Sequence, residues 1–135
     1  MGARQVGAAF DQQRSELRHR MSFDLKPKES NLESYLRNEA ASYGWTVVKC
    51  GFDGWPDDIV VANYGVVGWI ELKRRNKEPT VRQALRIEEL VLMGQQAMWA
   101  QRRPQVDLFL VRMHERVQEA RAAAQVKASQ LARRR

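Results

Sequence analysis

Residues 54–73 read GWPDDIVVANYGVVGWIELK, and this stretch decides the fold. It contains two β-prone runs, Ile59–Ala62 and Val66–Leu72. Between them, residues 63–65 are Asn-Tyr-Gly, whose asparagine and glycine suit a tight turn. The stretch therefore predicts a β-hairpin.

Three charged side chains flank this hairpin. Asp57 precedes its first strand, while Glu71 and Lys73 stand two apart on the second strand and so project from one face. Pairing across the hairpin can bring all three together. Two neighbouring carboxylates repel each other unless a cation intervenes, and a lysine beside them can stabilise developing negative charge, so the trio suits metal-assisted phosphodiester hydrolysis.

A purely structural interpretation of the trio is also open. Asp57 follows a proline and can be a turn residue, and Glu71 with Lys73 can form a solvated strand face. Residues 66–70, however, are apolar on both faces of the second strand, which predicts a central strand. Charges are rarely buried there without a function, so we favour the catalytic interpretation.

Outward from the hairpin, the periodicity of the sequence predicts further helices and strands, and Pro104 is expected to interrupt the helical pattern that begins at Thr80. The predicted elements are a helix opened by Ser30 and stopped by Gly44, a strand within Trp45–Cys50, a helix from Thr80 through Val91 with a possible continuation to Trp99, a strand at Val106–Val111, and an alanine-rich helix at Glu115–Arg135. With the hairpin, these give a mixed α/β fold. Its order is αβββαβ plus a C-terminal helix, in which an antiparallel meander of three strands belongs to a mixed sheet of about four, flanked by helices.

At 135 residues the chain has room for one compact domain. We divide it into an N-terminal arm over residues 1–28, weakly structured or with a short helix around Phe10–Met21, a core over 29–112, and a basic C-terminal helix or tail over 113–135. No apolar run is long enough to span a bilayer, and the N-terminus lacks a secretory signal, so a cytoplasmic location is expected.

The net charge of +7 and the pI near 10.1 favour a polyanionic partner, of which nucleic acid is the leading candidate. Cys50 is the single cysteine, so it forms no internal disulfide. With only two distant histidines, His19 and His114, a zinc site of Cys/His type is excluded. Any metal is therefore expected to be held by oxygen atoms.

The charged residues and their order resemble a known family, the virus-type replication-repair nucleases (VRR-NUC) of the PD-(D/E)XK superfamily. The resemblance runs from about Glu29 to Leu90. Asp58 departs from the family's pattern, where a basic or neutral residue is more usual, and its side chain is expected to point away from Asp57. The parts that carry the resemblance are Ser30 and Glu33 on a helix, Lys49, the loop Gly54-Trp55-Pro56-Asp57, the triplet Glu71-Leu72-Lys73, and Gln83 at the start of the next helix.

The resemblance implies a restriction-endonuclease-like core and a divalent-metal-dependent DNA endonuclease. Asp57, Glu71 and Glu33 are then expected to bind Mg²⁺ or Mn²⁺, with Lys73 catalytic and Glu33 and Gln83 supporting. It further implies structure-selective cutting of duplex, branched or nicked DNA, a phage- or prophage-type protein, and a homodimer. The residues expected to contact nucleic acid are Lys49, Trp55, Arg74, Arg75 and Lys77.

Other interpretations of the supporting residues remain open. Glu33 and Gln83 each follow a serine or threonine at capping-box spacing, so both can simply cap helices. Lys49 can be an ordinary exposed lysine, and Trp55 a hydrophobic lid over its loop. For the whole chain, the alternatives are a noncatalytic DNA-binding module that retains the nuclease fold and, less favoured, a partner-binding helix hairpin built from the C-terminal segment.

Overall fold

The computed structural model of the protein describes residues 12–13 and 31–135. Gln12 and Gln13 are helical; the remainder of the predicted arm and Ser30 lie outside the described residues. No helix in the described part of the chain is both long and apolar enough to cross a membrane. The elements are α1 (Asn31–Ser42), β1 (Thr46–Lys49), β2 (Asp58–Val61), β3 (Val67–Leu72), α2 (Val81–Leu92), β4 (Gln96–Ala100) and α3 (Arg103–Arg133).

The predicted hairpin and meander are confirmed. β1 pairs antiparallel with β2, and β2 pairs antiparallel with β3, in a four-stranded sheet of order β1-β2-β3-β4. The turn between β2 and β3 places Tyr64 at φ 58° and Gly65 at φ 73°. Two successive residues with positive φ are typical of the tight turns that match the twist of a hairpin.

The fourth strand lies elsewhere than predicted. β4 is Gln96–Ala100, parallel to β3 and reached through α2. The predicted continuation of α2 to Trp99 is therefore wrong: the helix ends at Leu92, and Gly94 at φ 83° turns the chain back. Glycine adopts this left-handed conformation without the steric cost that a Cβ atom brings.

The predicted strand at Val106–Val111 is also wrong, because this segment belongs to α3. Pro104 stands in the first turn of α3, where its missing N–H costs no hydrogen bond, so the proline begins the helix rather than interrupting it. Val106, Phe109 and Leu110 recur at helical spacing and are buried. The order of elements nevertheless agrees with the prediction, because the fourth strand and the start of the last helix both lie earlier in the sequence than predicted.

Helices cover both faces of the sheet. On one face α1 and α3 bury the core, and α2 lies on the other. Beyond Val117, α3 leaves the core, and nearly all of its later side chains are exposed. The core residues contributed by α1, the sheet and α3 are Leu36, Ala40, Trp45, Val47, Val60, Ile70, Ala100, Val106, Phe109, Leu110, Met113 and Val117.

Gly68 marks the closest approach of α3 to the sheet. A Cβ atom there would lie 2.6 Å from Phe109 Cζ and 2.7 Å from Met113 Sδ. We expect Gly68→Ala to lower the free energy of unfolding by about 1–3 kcal/mol, because overpacking forces core side chains out of their rotamers. Urea unfolding checks this prediction against Gly51→Ala, whose added Cβ meets nothing within 4 Å. Equal stability of the two variants would contradict the close packing described.

Candidate active site

Asp57 and Glu71 face each other across the hairpin. The β2–β3 register pairs Asp58 with Ile70, so one step outward places Asp57 opposite Glu71. The backbone N–H of Asp57 donates to Glu71 Oε2 at 2.8 Å, and its carbonyl accepts from the N–H of Cys50 at 2.8 Å. The backbone of Asp57 is thus fixed, while its side chain is exposed.

Two further predicted residues meet the same carboxylate. Lys73 Nζ lies 3.3 Å from Glu71 Oε1, and Gln83 Nε2 donates to that oxygen at 3.0 Å. Gln83 also completes a capping box with Thr80 at the start of α2. Capping and support of the site are therefore compatible roles of Gln83, since the cap fixes its side chain beside Glu71.

Glu71 is a buried carboxylate in an electrostatic conflict. Its side chain is 1% exposed. Burial raises its pKa, and the nearby charge of Asp57 raises it further. The hydrogen bond from the backbone N–H of Asp57 lowers the pKa, as does the ammonium of Lys73, but these two effects offset the rise only in part. An additional positive charge near Asp57 and Glu71 would relieve the conflict.

A second charged cluster contains Glu33, Lys49, Arg37 and Asp58. Lys49 Nζ lies 2.7 Å from Glu33 Oε1 and 3.5 Å from Asp58 Oδ1, and Arg37 Nη2 lies 3.3 Å from Glu33 Oε1. Lys49 and Asp58 are paired neighbours in the β1–β2 register. Residues alternate along β2, so Asp58 projects from the face opposite Asp57.

Lys49 connects the two clusters electrostatically. Partial burial opposes its charge, but its bond to Glu33 and the charges of Asp58, Glu33 and Asp57 together raise its pKa. The ammonium is therefore held in its charged form between carboxylates on both sides. Its side chain is 52% exposed, which leaves part of it accessible to a ligand.

Asp58 is a fully buried carboxylate whose oxygens accept no hydrogen bond. Burial, followed by the charge of Glu33, raises its pKa from 3.8 to about 7, and the opposite charge of Lys49 compensates only in part. Buried carboxylates without donors are costly in the ionised form. The ionised form of Asp58 thus lowers the stability of the fold next to the site.

This gives a pH prediction for the metal-free protein. Between about pH 4 and about pH 7 the folded protein retains a proton on Asp58 that the unfolded chain has released, so stability falls as the pH rises through this window. Asp58→Asn should flatten the fall, because the amide cannot ionise. Urea unfolding in EDTA across this range measures it, with the exposed Asp53→Asn as control. An unchanged pH dependence in Asp58→Asn would contradict the raised pKa.

The remaining residues predicted to contact nucleic acid lie around the site. Arg74, Arg75 and Lys77 are exposed in the loop that follows β3. Trp55 is half-buried, with its ring centroid 5.3 Å from that of Trp69 at an interplanar angle of 42°. The structure thus brings Asp57, Glu71, Lys73 and Gln83 together and places Glu33 with Lys49 in the adjoining cluster.

Sequence reasoning missed two residues that hold the Asp57 loop. Arg82 Nη1 lies 3.3 Å from Asp53 Oδ2, and Arg86 stacks over Trp55 with its Cζ 4.4 Å from the ring centroid. Arg82 and Arg86 stand four apart on α2, on adjacent turns. That spacing was visible in the sequence, but the loop they reach was not.

A solved structure shares this architecture. It has a TM-score of 0.56 and 26% sequence identity, and the match covers 63% of this chain and 96% of that chain. The solved structure is a VRR_NUC domain. The chain is similar to a VRR_NUC domain in fold and in sequence, as its motifs predicted. Neither a protein-family model nor a curated protein sequence matches it.

The VRR_NUC likeness gives the chain a nuclease-type fold, and its residues can be tested against the metal that such a fold implies. In the described ranges 12–13 and 31–135, no group of three or more His, Cys, Asp or Glu side chains is arranged to hold a metal. Mg²⁺, however, is commonly bound through one or two carboxylates, with water and substrate phosphates completing its shell. Asp57 and Glu71 supply two such carboxylates, so the donor set fits Mg²⁺ or Mn²⁺.

Proposed function

We propose that this chain is a divalent-metal-dependent DNA endonuclease whose site consists of Asp57, Glu71 and Lys73. The observation that carries the proposal is the buried Glu71 carboxylate, which faces Asp57 and is bonded to Gln83 and Lys73 at once. A strained carboxylate pair with a lysine beside it has little structural benefit and a clear catalytic one. The likeness to a VRR_NUC domain supports the same assignment.

Asp57 and Glu71 would hold the metal. Glu33, which the resemblance also implied as a ligand, is paired with Lys49 and Arg37 in the adjoining cluster. When bound, Mg²⁺ or Mn²⁺ supplies Lewis-acid stabilisation of the charge that develops on the phosphate during hydrolysis. Gln83 fixes one Glu71 oxygen and the Asp57 N–H fixes the other, so the carboxylate is oriented before substrate binds.

Lys73 supplies the positive charge that the protein itself brings to the reaction. Its side chain is 19% exposed, so the ammonium is largely shielded from water but reachable by a phosphate. Its three N–H donors can orient an attacking water and donate to a phosphate oxygen. In a partly dry site these contacts are worth more than they are in bulk water.

DNA is the proposed substrate and partner. The net charge of +7 and the exposed loop cations Arg74, Arg75 and Lys77 support binding to a phosphate backbone. Lys49 and Trp55 complete the proposed contact surface. Structure-selective cutting of branched or nicked DNA and a phage- or prophage-type role are proposed from the family resemblance alone.

We also propose a homodimer, and α2 supports it. Val81, Leu85 and Leu92 are 78%, 54% and 81% exposed, and they lie on the side of the helix opposite the buried Leu90. An apolar stripe of this kind on the surface is typical of an interaction face.

The proposal is tested by incubating labelled plain, nicked, flapped and four-way-junction DNA with the purified protein in Mg²⁺, Mn²⁺ or EDTA. We expect cutting in either metal and none in EDTA, with the most rapidly cut DNA identifying the preferred structure. Binding without cutting under every condition would instead support the noncatalytic DNA-binding module.

A further inference from the structure

The loop that carries Asp57 is held in place by α2. Residues 51–57 contain no regular secondary structure. The large side chain of this loop that packs against the rest of the protein is Trp55. Its ring lies against Trp69 of β3, and the guanidinium of Arg86 covers it at 4.4 Å from the centroid. Trp55 therefore sits between the sheet and one α2 side chain.

The position of Trp55 limits where Asp57 can lie. Only Pro56 separates the two residues, and proline fixes its own φ near −65° and restricts the residue before it. Pro56 is fully buried, so the short connection has little freedom. Displacement of the Trp55 ring would therefore be transmitted to the backbone of Asp57.

We infer that Arg86 is a positioning residue, which acts through Trp55 to hold Asp57 in its place opposite Glu71. The inference rests on the proposed function, since it assigns Arg86 a role in the same site. One helix then secures both carboxylates: Gln83 bonds to Glu71, and Arg86, on the next turn, secures the loop of Asp57.

The contacts of Arg86 distinguish this role from phosphate binding. Its Nη1 lies 2.9 Å from Glu89 Oε2, so its charge is already paired, and its side chain is 31% exposed. The exposed Arg74 and Arg75 have no such carboxylate partner among the ion pairs of the described residues. Arg86 is thus oriented toward the Trp55 ring and neutralised by its neighbour.

The test compares Arg86→Gln, Arg86→Lys and a matched control, Arg103→Gln. Arg103 stacks over Tyr35 at 4.8 Å from the ring centroid, so the control loses a similar cation–π contact on the other face of the sheet. For each variant, Mn²⁺ affinity is measured by EPR without DNA. The Mn²⁺ dependence of kcat, the Kd for uncut DNA in Ca²⁺ and the thermal midpoint are measured in parallel.

Arg86→Gln should weaken Mn²⁺ binding about tenfold and lower kcat by a similar factor. This is the lower end of the loss expected when a residue that supports a metal ligand is mutated. Its Kd for DNA should be unchanged, Arg86→Lys should recover much of the loss, and Arg103→Gln should bind Mn²⁺ like the wild type. Trp55→Leu, which removes the ring that Arg86 covers, should reproduce the Mn²⁺ defect and serves in place of Arg86→Gln if that variant does not fold.

An Arg86→Gln protein with wild-type Mn²⁺ affinity would overturn the inference, as would a change in DNA Kd alone or an equal Mn²⁺ defect in Arg103→Gln. The proposed function fails in a different way, through a wild-type protein that cuts no DNA. Because Mn²⁺ binding is measured without DNA, the two failures are distinguishable.

Discussion

Lys73→Ala is expected to lower the rate of DNA cleavage at saturating Mg²⁺ by about 10²- to 10³-fold, the loss typical when one preorganised donor to a transition state is removed. The ammonium of Lys73 lies 3.3 Å from Glu71 Oε1. Binding of uncut DNA should be unchanged, because one partly buried lysine contributes little to a chain with a net charge of +7.

Single-turnover cleavage measures the rate of the reaction, and the Kd for uncut DNA is measured separately in Ca²⁺. Lys127→Ala is the matched control, since it removes the same charge from the exposed part of α3. Normal turnover by Lys73→Ala would remove Lys73 from the catalytic site. A parallel loss of binding and turnover would make it a DNA contact instead.

Glu71→Gln is expected to abolish DNA cleavage and to weaken the pH dependence of the stability of the metal-free fold. The amide loses the charge that holds the metal, so Mn²⁺ affinity should fall by more than about 100-fold. Mutation of a residue that only supports a metal ligand already weakens metal binding by about 10- to 100-fold. Burial and the charge of Asp57 raise the pKa of Glu71, so its ionised form opposes folding. In EDTA the free energy of unfolding of the wild type should therefore fall as the pH rises through the raised pKa of Glu71, and the amide, which cannot ionise, should show a smaller fall.

Urea unfolding in EDTA and Mn²⁺ titration measure the two effects on one preparation. Glu119→Gln, on the exposed part of α3, should change neither. A Glu71→Gln protein with the same pH dependence of unfolding as the wild type would contradict the raised pKa of Glu71. Retained Mn²⁺ affinity would contradict the metal site.

The hairpin and its charged residues were predictable because the signals are local. A turn of Asn63-Tyr64-Gly65 between two β-prone runs leaves few registers, and the register puts Asp57 opposite Glu71. The spacing of Glu71 and Lys73 then determines that they share a face. Gln83 was found through its family position, and its dual role follows from the capping box at Thr80.

The C-terminal half was harder to predict because local propensity and tertiary packing disagree there. Residues 106–111 have the composition of a strand, yet Val106, Phe109 and Leu110 become one buried helix face, with Phe109 against Gly68. Residues 96–100 form a strand because β3 offers a free edge for parallel pairing. Neither fact is visible in a short window of sequence.

The contacts around the site depend on the same tertiary arrangement. The sequence places Asp58 on the face opposite Asp57, but only the β1–β2 pairing brings Lys49 to it and only the packing of α1 brings Glu33. Likewise, the stack of Arg86 on Trp55 joins residues that are far apart in the chain. Spacing predicts neighbours within one element, whereas contacts between elements require the fold.

The central claim is that Asp57 and Glu71 together hold a divalent metal, and a Mn²⁺ titration followed by EPR tests it most directly. Wild-type protein should bind Mn²⁺ without DNA, and both Asp57→Asn and Glu71→Gln should lose that binding while remaining folded. Wild-type protein that binds no Mn²⁺, or variants that bind it as the wild type does, would contradict the account.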